Sequence, residues 1–229
     1  MQENISDIIE HFKNLKILVV GDAILDTYVK GAPDRVSREA PVLVFNVDEQ
    51  EHQCGGAANT AINVAALGAE TYFLTVLGKD SSSRELIDVL KKHKVHTDYI
   101  LRDKSRTTIA KKRITAASHM LMRIDEGTTS PISAQCEKEM LNNIIELYPG
   151  IDAIILSDYG FGIMTPGVIA GIKAIREHQS KVLVADGRDL SKFRDLKPDA
   201  VKPNYEETIK LLHIDKCLHN RADQVLQYT

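Results

Sequence analysis

Four apolar runs in this 229-residue chain end in side chains able to hold hydroxyls or a hydrated cation. Lys16-Ile-Leu-Val-Val-Gly21 runs into Asp22, with Asp26 four residues on, and Ile151-Asp-Ala-Ile-Ile-Leu156 runs into Ser157-Asp158-Tyr159-Gly160. Val182-Leu-Val-Ala185 is followed by Asp186-Gly187-Arg188, and Ala200-Val201 by Lys202-Pro203-Asn204, with Glu207 three residues later. Apolar runs of this kind suit strands buried on both faces of a parallel sheet. Parallel strands put their carboxyl ends on one rim, where open α/β sheets bind ligands. Acceptors gathered there suit sugar hydroxyls, or Mg²⁺ with its waters and a phosphate. Asp and Asn also terminate strands as plain turn formers. Each alone reads either way; recurrence at four strand ends favours a site.

A second constellation is Cys54-Gly55-Gly56-Ala57-Ala58-Asn59, which opens an alanine-rich stretch closing at Gly68. Paired glycines let a ligand approach the backbone, and a helix start offers free N–H groups. Asn59, in the first turns, both donates and accepts. Close helix packing explains the alanines but not the glycine pair with Asn59.

Other motifs fail. Gly78-Lys79 is followed by Asp80, so no Walker loop is present. Gly160-Phe161-Gly162 imitates part of a dinucleotide fingerprint, but its third position is Thr165, better read as an N-cap before Pro166. His93 and His96 have ligand spacing without a third ligand nearby and read as surface histidines. No Gly-x-Ser-x-Gly or Cys/His nucleophile arrangement occurs.

The elements that must position these residues alternate. Helices are expected at Ile5–Phe12, Asp80–His93, Ser133–Tyr148, Pro166–His178 and Tyr205–Leu212. A further strand is expected at Thr71–Leu77. Strand–helix alternation predicts an α/β fold with a parallel sheet. Val42–Val47, after a turn-like Gly31-Ala-Pro33, and the pair Thr107–Thr115 and Met120–Asp125 break the alternation. They read as a small β appendage containing a hairpin, or as irregular surface loops.

Composition narrows the class. With 43% hydrophobic and 27% charged residues the chain can build a core and is not disordered. A net charge of −3 with mixed signs favours neither nucleic acid nor an anionic membrane. Tryptophan is absent, so broad base-stacking platforms are not expected. No apolar run reaches a membrane span, and Met1-Gln2-Glu3-Asn4 lacks a secretory-signal shape. Three scattered cysteines, Cys54, Cys136 and Cys217, fit a reducing cytoplasm, the expected location.

In family order and at family spacing, five motifs resemble the ribokinase-like (PfkB) sugar kinases. Val20-Gly-Asp22 through Asp26-Thr-Tyr28 resembles the first strand and sugar-binding aspartates. Gly55-Gly56-Ala-Ala-Asn59 resembles the first signature. Lys111-Lys-Arg113 and Leu121-Met-Arg123-Ile-Asp125 resemble returning lid strands, as Arg35–Val42 resembles the lid segment before them. Leu156-Ser-Asp158-Tyr159 and Asp186-Gly187-Arg188 resemble later strand ends, and Asn204-Tyr-Glu-Glu207 the Asn-x-x-Glu motif. The resemblance covers about residues 16–213. It implies a three-layer α/β/α sandwich with a mainly parallel sheet and a small β lid, its strands within about 28–54 and 105–126. It implies transfer of the ATP γ-phosphate, with Mg²⁺, to a sugar hydroxyl. The acceptor it implies is a heptose 7-phosphate on a route to ADP-heptose; ribose, fructose or a nucleoside is the alternative, as is a non-catalytic sugar-binding fragment. Asp22, Asp26, Gly55, Gly56, Asn59, Lys111, Arg113, Arg123 and Asp158 are the implied acceptor ligands. Asp186, Asn204 and Glu207 are the implied Mg²⁺–phosphate residues, with no direct metal ligand. A homodimer through the lid is implied too. The family's Gly-Ala-Gly-Asp segment, which carries its catalytic base, occurs nowhere in the 229 residues. The expectation is therefore one domain over 1–229 lacking its final third, inactive alone.

Overall fold

The computed structural model describes residues 5–117 and 119–212; Cys217 and the 216–229 tail lie outside the described residues. The chain begins with α1 (Ile5–His11), a single 3-10 turn, and β1 (Lys16–Gly21). Two long strands follow, β2 (Ala23–Val36) and β3 (Leu43–Gly56), and then α2 (Ala57–Ala66). Next come β4 (Glu70–Leu74), β5 (Val76–Gly78), α3 (Ser81–Lys92) and β6 (Leu101–Asp103). The hairpin β7 (Ala110–Ala116) and β8 (His119–Glu126) leads to α4 (Ala134–Leu147). The last elements are β9 (Ala153–Asp158), α5 (Pro166–His178), β10 (Val182–Gly187), β11 (Ala200–Val201) and α6 (Tyr205–Leu212).

The main sheet is parallel, in the order β11-β10-β9-β1-β4. β1 and β9 are covered on both faces, which is why they read as unbroken apolar runs, while β11, at the edge, is exposed. Leu18 and Val20 face a core shared with Met140 and Ile144 of α4 and Val168 and Ile172 of α5. Ile17 and Val19 face the opposite core, with Ala57, Ala58 and Ala61 of α2 and Leu86 and Leu90 of α3. Three layers result. Helix ends follow local chemistry: Asp80 and Ser83 form a capping box on α3, and Ser133 and Thr165 cap α4 and α5.

The second sheet has the order β3-β2-β7-β8, with antiparallel outer pairs and a parallel β2–β7 centre. The turn expected at Gly31-Ala-Pro33 is not there. β2 runs straight through it, with register shifts against β3 at Lys30/Gly31 and Pro33/Arg35. Pairing with β7 stops at Gly31, so Pro33 owes no hydrogen bond on that side and a strand tolerates it. The strand expected over Thr71–Leu77 is split: pairing of β1 with β4 stops at Val20 and Leu74, and β5 pairs with β6 instead. β9 begins and ends two residues later than expected, so Asp158 closes the strand, in register with Gly187.

Candidate functional site

The four acceptor-bearing strand ends do share one rim. Asp22 follows β1, Asp158 closes β9, Asp186 lies near the end of β10, and Asn204 follows β11. In the order β1, β9, β10, β11 they span three strand spacings, roughly 14 Å. At Asp22 the chain leaves the main sheet for β2. Asp22 N–H donates to Ser157 O (3.1 Å), and Asp22 O accepts from Ala57 N–H (2.9 Å). The root of the second sheet is thus tied to both β9 and α2.

Asp26, Gly55 and Gly56 come together at this root. A side chain on Gly55 would place its Cβ 2.2 Å from Asp26 Oδ2, so the missing Cβ lets the carboxylate lie on the backbone. Gly56 has φ +60°, and a Cβ there would stand 2.4 Å from Asp22 O. Asn59 is exposed in the first turn of α2. Asp26 forms an ion pair with Arg113, both side chains mostly buried, and that carboxylate raises the Arg113 pKa above its ordinary value. The Arg113 guanidinium also lies 5.3 Å from the Tyr28 ring centroid.

Strand register explains the clustering. Asp26 pairs across with Lys111 and Tyr28 with Arg113, while Lys111 faces Asp125 and Arg113 faces Arg123 on β8. Alternation puts all six on one face of the second sheet. Arg123, exposed, bonds Asp125 on its own strand at 2.8 and 3.1 Å. This face therefore presents three cations with two carboxylates.

Two expected acceptor ligands are turned inward. Asp22 is 1% exposed, and its carboxylate accepts from Tyr159 N–H (2.8 Å), Phe161 N–H (3.1 Å) and Ile163 N–H (3.3 Å). Burial, with the Asp158 charge beside it, pushes its pKa up to about 6 against the pull of those amides. The adjoining cavity, shared with Arg106, is about 10 Å³, room for about one water and too small for a sugar hydroxymethyl group. Asp158 is 2% exposed and accepts from Gly160 N–H (2.9 Å) and Lys192 Nζ (2.8 Å). Asp22 is thus enclosed by the rim loops, whereas Asp158, with Gly160, Lys173 and Lys192, lines a cavity of about 660 Å³ on the side of α5.

At the far end of the rim, Asp186 pairs with Lys202 (3.3 Å). Asn204 N–H donates to Glu207 Oε2 (2.7 Å) and Asn204 Oδ1 accepts from Glu207 N–H (2.9 Å). This reciprocal pair caps α6. Thr165 is the N-cap expected: its Oγ1 accepts from Val168 N–H (3.1 Å), ahead of Pro166. His93 ends α3, whereas His96 stacks on Tyr72. No cluster of metal-binding side chains occurs among the described residues. No helix among them is long and apolar enough to cross a membrane.

Residues not singled out as site residues complete the walls. Arg106, Phe161, Arg188 and Lys192 all touch the rim loops. Only long-range contacts identify Arg106; its local sequence gives no signal.

A parallel three-layer α/β/α sandwich with a four-stranded sheet at its carboxyl rim is a ribokinase-like fold. The chain belongs to the pfkB family of carbohydrate kinases, whose profile matches residues 14–228. It is 35% identical over 219 residues to bifunctional protein HldE of Helicobacter pylori (strain J99), covering 93% of this chain and 47% of that protein. It is 38% identical over 194 residues to bifunctional protein HldE of Pelobacter propionicus, covering 84% and 40%. The chain thus spans less than half the length of these curated relatives. Among solved structures it resembles the tetrameric inhibited form of Escherichia coli phosphofructokinase-2 (TM-score 0.69, 15% identity, 93% of this chain and 69% of that one). It also resembles Arabidopsis thaliana ribokinase complexed with ribose and ATP (TM-score 0.64, 19% identity, 93% and 68%). At such identities these two establish the fold alone.

Proposed function

We propose that this chain is the acceptor-binding part of a sugar kinase that passes the ATP γ-phosphate to a heptose 7-phosphate. The observation that carries the reading is Asp26, its carboxylate laid against Gly55 and paired with Arg113 where the second sheet leaves the rim. Asp26 and Asn59 would take sugar hydroxyls, with Gly55 and Gly56 supplying close backbone. Lys111, Arg113 and Arg123 offer charge for a sugar phosphate, and Arg is suited to bind one with two hydrogen bonds. The HldE relatives, at 35% and 38% identity, support a heptose acceptor. We read the second sheet as the lid over that acceptor, its strands paired between two copies of the chain.

The nucleotide end of the rim would be Asp186, Asn204 and Glu207. Glu207 keeps one carboxylate oxygen beyond its cap bond, and Asp186 is a second carboxylate nearby in the strand order. That fits Mg²⁺ held through water, since Mg²⁺ keeps several waters and takes few carboxylates. Bound Mg²⁺–ATP would supply the phosphoryl group and the neutralising charge. The base is not assigned, because no Gly-Ala-Gly-Asp segment occurs in the sequence. General-base help is worth about 10²–10⁴-fold. The 229-residue polypeptide is accordingly expected to bind acceptor with little turnover.

A thermal-shift panel with heptose 7-phosphate, ribose, fructose and a nucleoside, followed by an ATP-dependent phosphorylation assay, tests this. Selective stabilisation by heptose 7-phosphate is expected. Selective response to another sugar would transfer the reading to that acceptor, and response to none would end it. Ordinary kinase turnover by the purified chain would refute the expectation of little turnover.

A further inference from the structure

Tyr159–Ile163 is gripped by opposite charges on its two hydrogen-bonding sides. Asp22 takes the amides of Tyr159, Phe161 and Ile163. Arg106, 9% exposed, donates from Nη2 to Phe161 O (2.9 Å) and Thr128 O (2.9 Å) and from Nη1 to Ser130 O (2.6 Å). Asp22 and Arg106 line one small cavity, each bonded to backbone groups rather than to the other. Their charges are satisfied through the backbone between them. Burying two such groups costs several kcal/mol apiece unless hydrogen bonds compensate. A fold needing only a turn here could use glycine and proline, so this expense calls for a purpose.

The purpose is visible at Phe161. Gly160 and Gly162, on either side, have φ of +77° and +93°, and a Cβ on Gly162 would meet Ser130 O at 2.2 Å. The turn can follow this path only with glycine there, and it projects the Phe161 ring to the junction of the two sheets. Lys111 Nζ of β7 lies 5.8 Å from the ring centroid and Arg188 Cζ, just past β10, lies 5.6 Å from it. Both are within cation–π range. One ring thus bridges a cation of the second sheet and a cation of the main rim.

We propose that Asp22 and Arg106 are positioning residues that lock the Tyr159–Ile163 turn, so that Phe161 fixes Lys111 and Arg188 as the joint between the second sheet and the rim. The functional consequence rests on the proposed acceptor site: Lys111 would be held in place before acceptor arrives. This role requires neither Asp22 nor Arg106 to touch the acceptor.

The absence of tryptophan makes the test direct. F161W carries a single indole, and an indole is the best cation–π partner. In F161W the emission should be that of a restrained side chain with high anisotropy. Adding D22N, which turns an NH₂ toward the amide donors, should lower the anisotropy and shift the emission to the red. In the otherwise unchanged chain, D22N should weaken heptose 7-phosphate binding on the order of tenfold, as expected for a displaced contact group. R106K, which keeps the charge but not the three-carbonyl fork, should act in the same direction. Unchanged anisotropy and emission in both double variants would overturn the proposal. Should either variant fail to fold, amide exchange in the unaltered chain decides. Protected amides at Tyr159, Phe161 and Ile163 are expected, and rapid exchange there would overturn the lock. If the unaltered chain binds no sugar, the acceptor reading fails, while the indole and exchange measurements still judge the lock.

Discussion

The two glycines at the root of the second sheet look equivalent in sequence but do different things. At Gly55 an added Cβ would strike the far end of the Asp26 side chain, which can swing aside. At Gly56 it would strike the Asp22 carbonyl, which is bonded to Ala57 N–H and cannot move freely, and the left-handed φ adds strain. Gly55→Ala is therefore expected to fold with little loss of stability while acceptor affinity falls, because the Asp26 carboxylate is displaced. Gly56→Ala is expected to lose roughly 1–3 kcal/mol of stability. Urea unfolding beside calorimetric sugar binding separates the two effects. Equal stability loss in both variants would show that the Asp26 carboxylate is not what Gly55 makes room for.

Among the elements, legibility followed locality. α5, β11 and α6 occupy the residues expected, because Thr165 with Pro166 fixes one start and Asn204 with Glu207 another. The capping box makes its own prediction. Asn204→Ala should cost about 1 kcal/mol and raise amide exchange only within 205–212, whereas Asn204→Asp, an equally good cap, should leave exchange unchanged. Exchange rising equally in both variants would contradict a capping role. β2 was not legible past Gly31, because its partner is a strand outside the local window and Gly31-Ala-Pro33 has turn chemistry. The site divided in the same way. Asp26, Gly55 and Gly56 meet through the antiparallel β2–β3 pair, within thirty residues or so of one another. Asp22 and Asp158 stand at strand ends that the sequence marks as acceptors, but the sequence does not tell which way they face. Asp22 turns inward to amides 137–141 residues later, which spacing alone cannot reveal.

At the scale of the molecule, the second sheet has more apolar surface than one copy of the chain covers. Its buried side is rooted by Leu25 and Val29, but farther out Met122 and Ile124 of β8 are 56% and 39% exposed, on the face opposite Arg113 and Arg123. Met120 and Leu121 on the same strand are 58% and 48% exposed. β8 is also an edge strand, with one row of backbone groups unpaired within its sheet. Fully burying a side chain of this size is worth about 1.5–3 kcal/mol. Met122 and Ile124 are already partly covered, so a symmetric pairing of these two across both copies gains roughly 3–6 kcal/mol, comparable with the low end of the association cost, about 4 kcal/mol; Met120, Leu121 and the unpaired edge of β8 must supply the rest. A homodimer through β8 is therefore expected. Met122→Lys with Ile124→Lys should give a folded monomer by sedimentation, since neither side chain lies in the described core. If the second sheet closes over the acceptor only when supported by its copy, that monomer should also bind heptose 7-phosphate more weakly. A monomeric unaltered chain would remove the dimer; a monomeric variant with full affinity would remove only the link between pairing and binding.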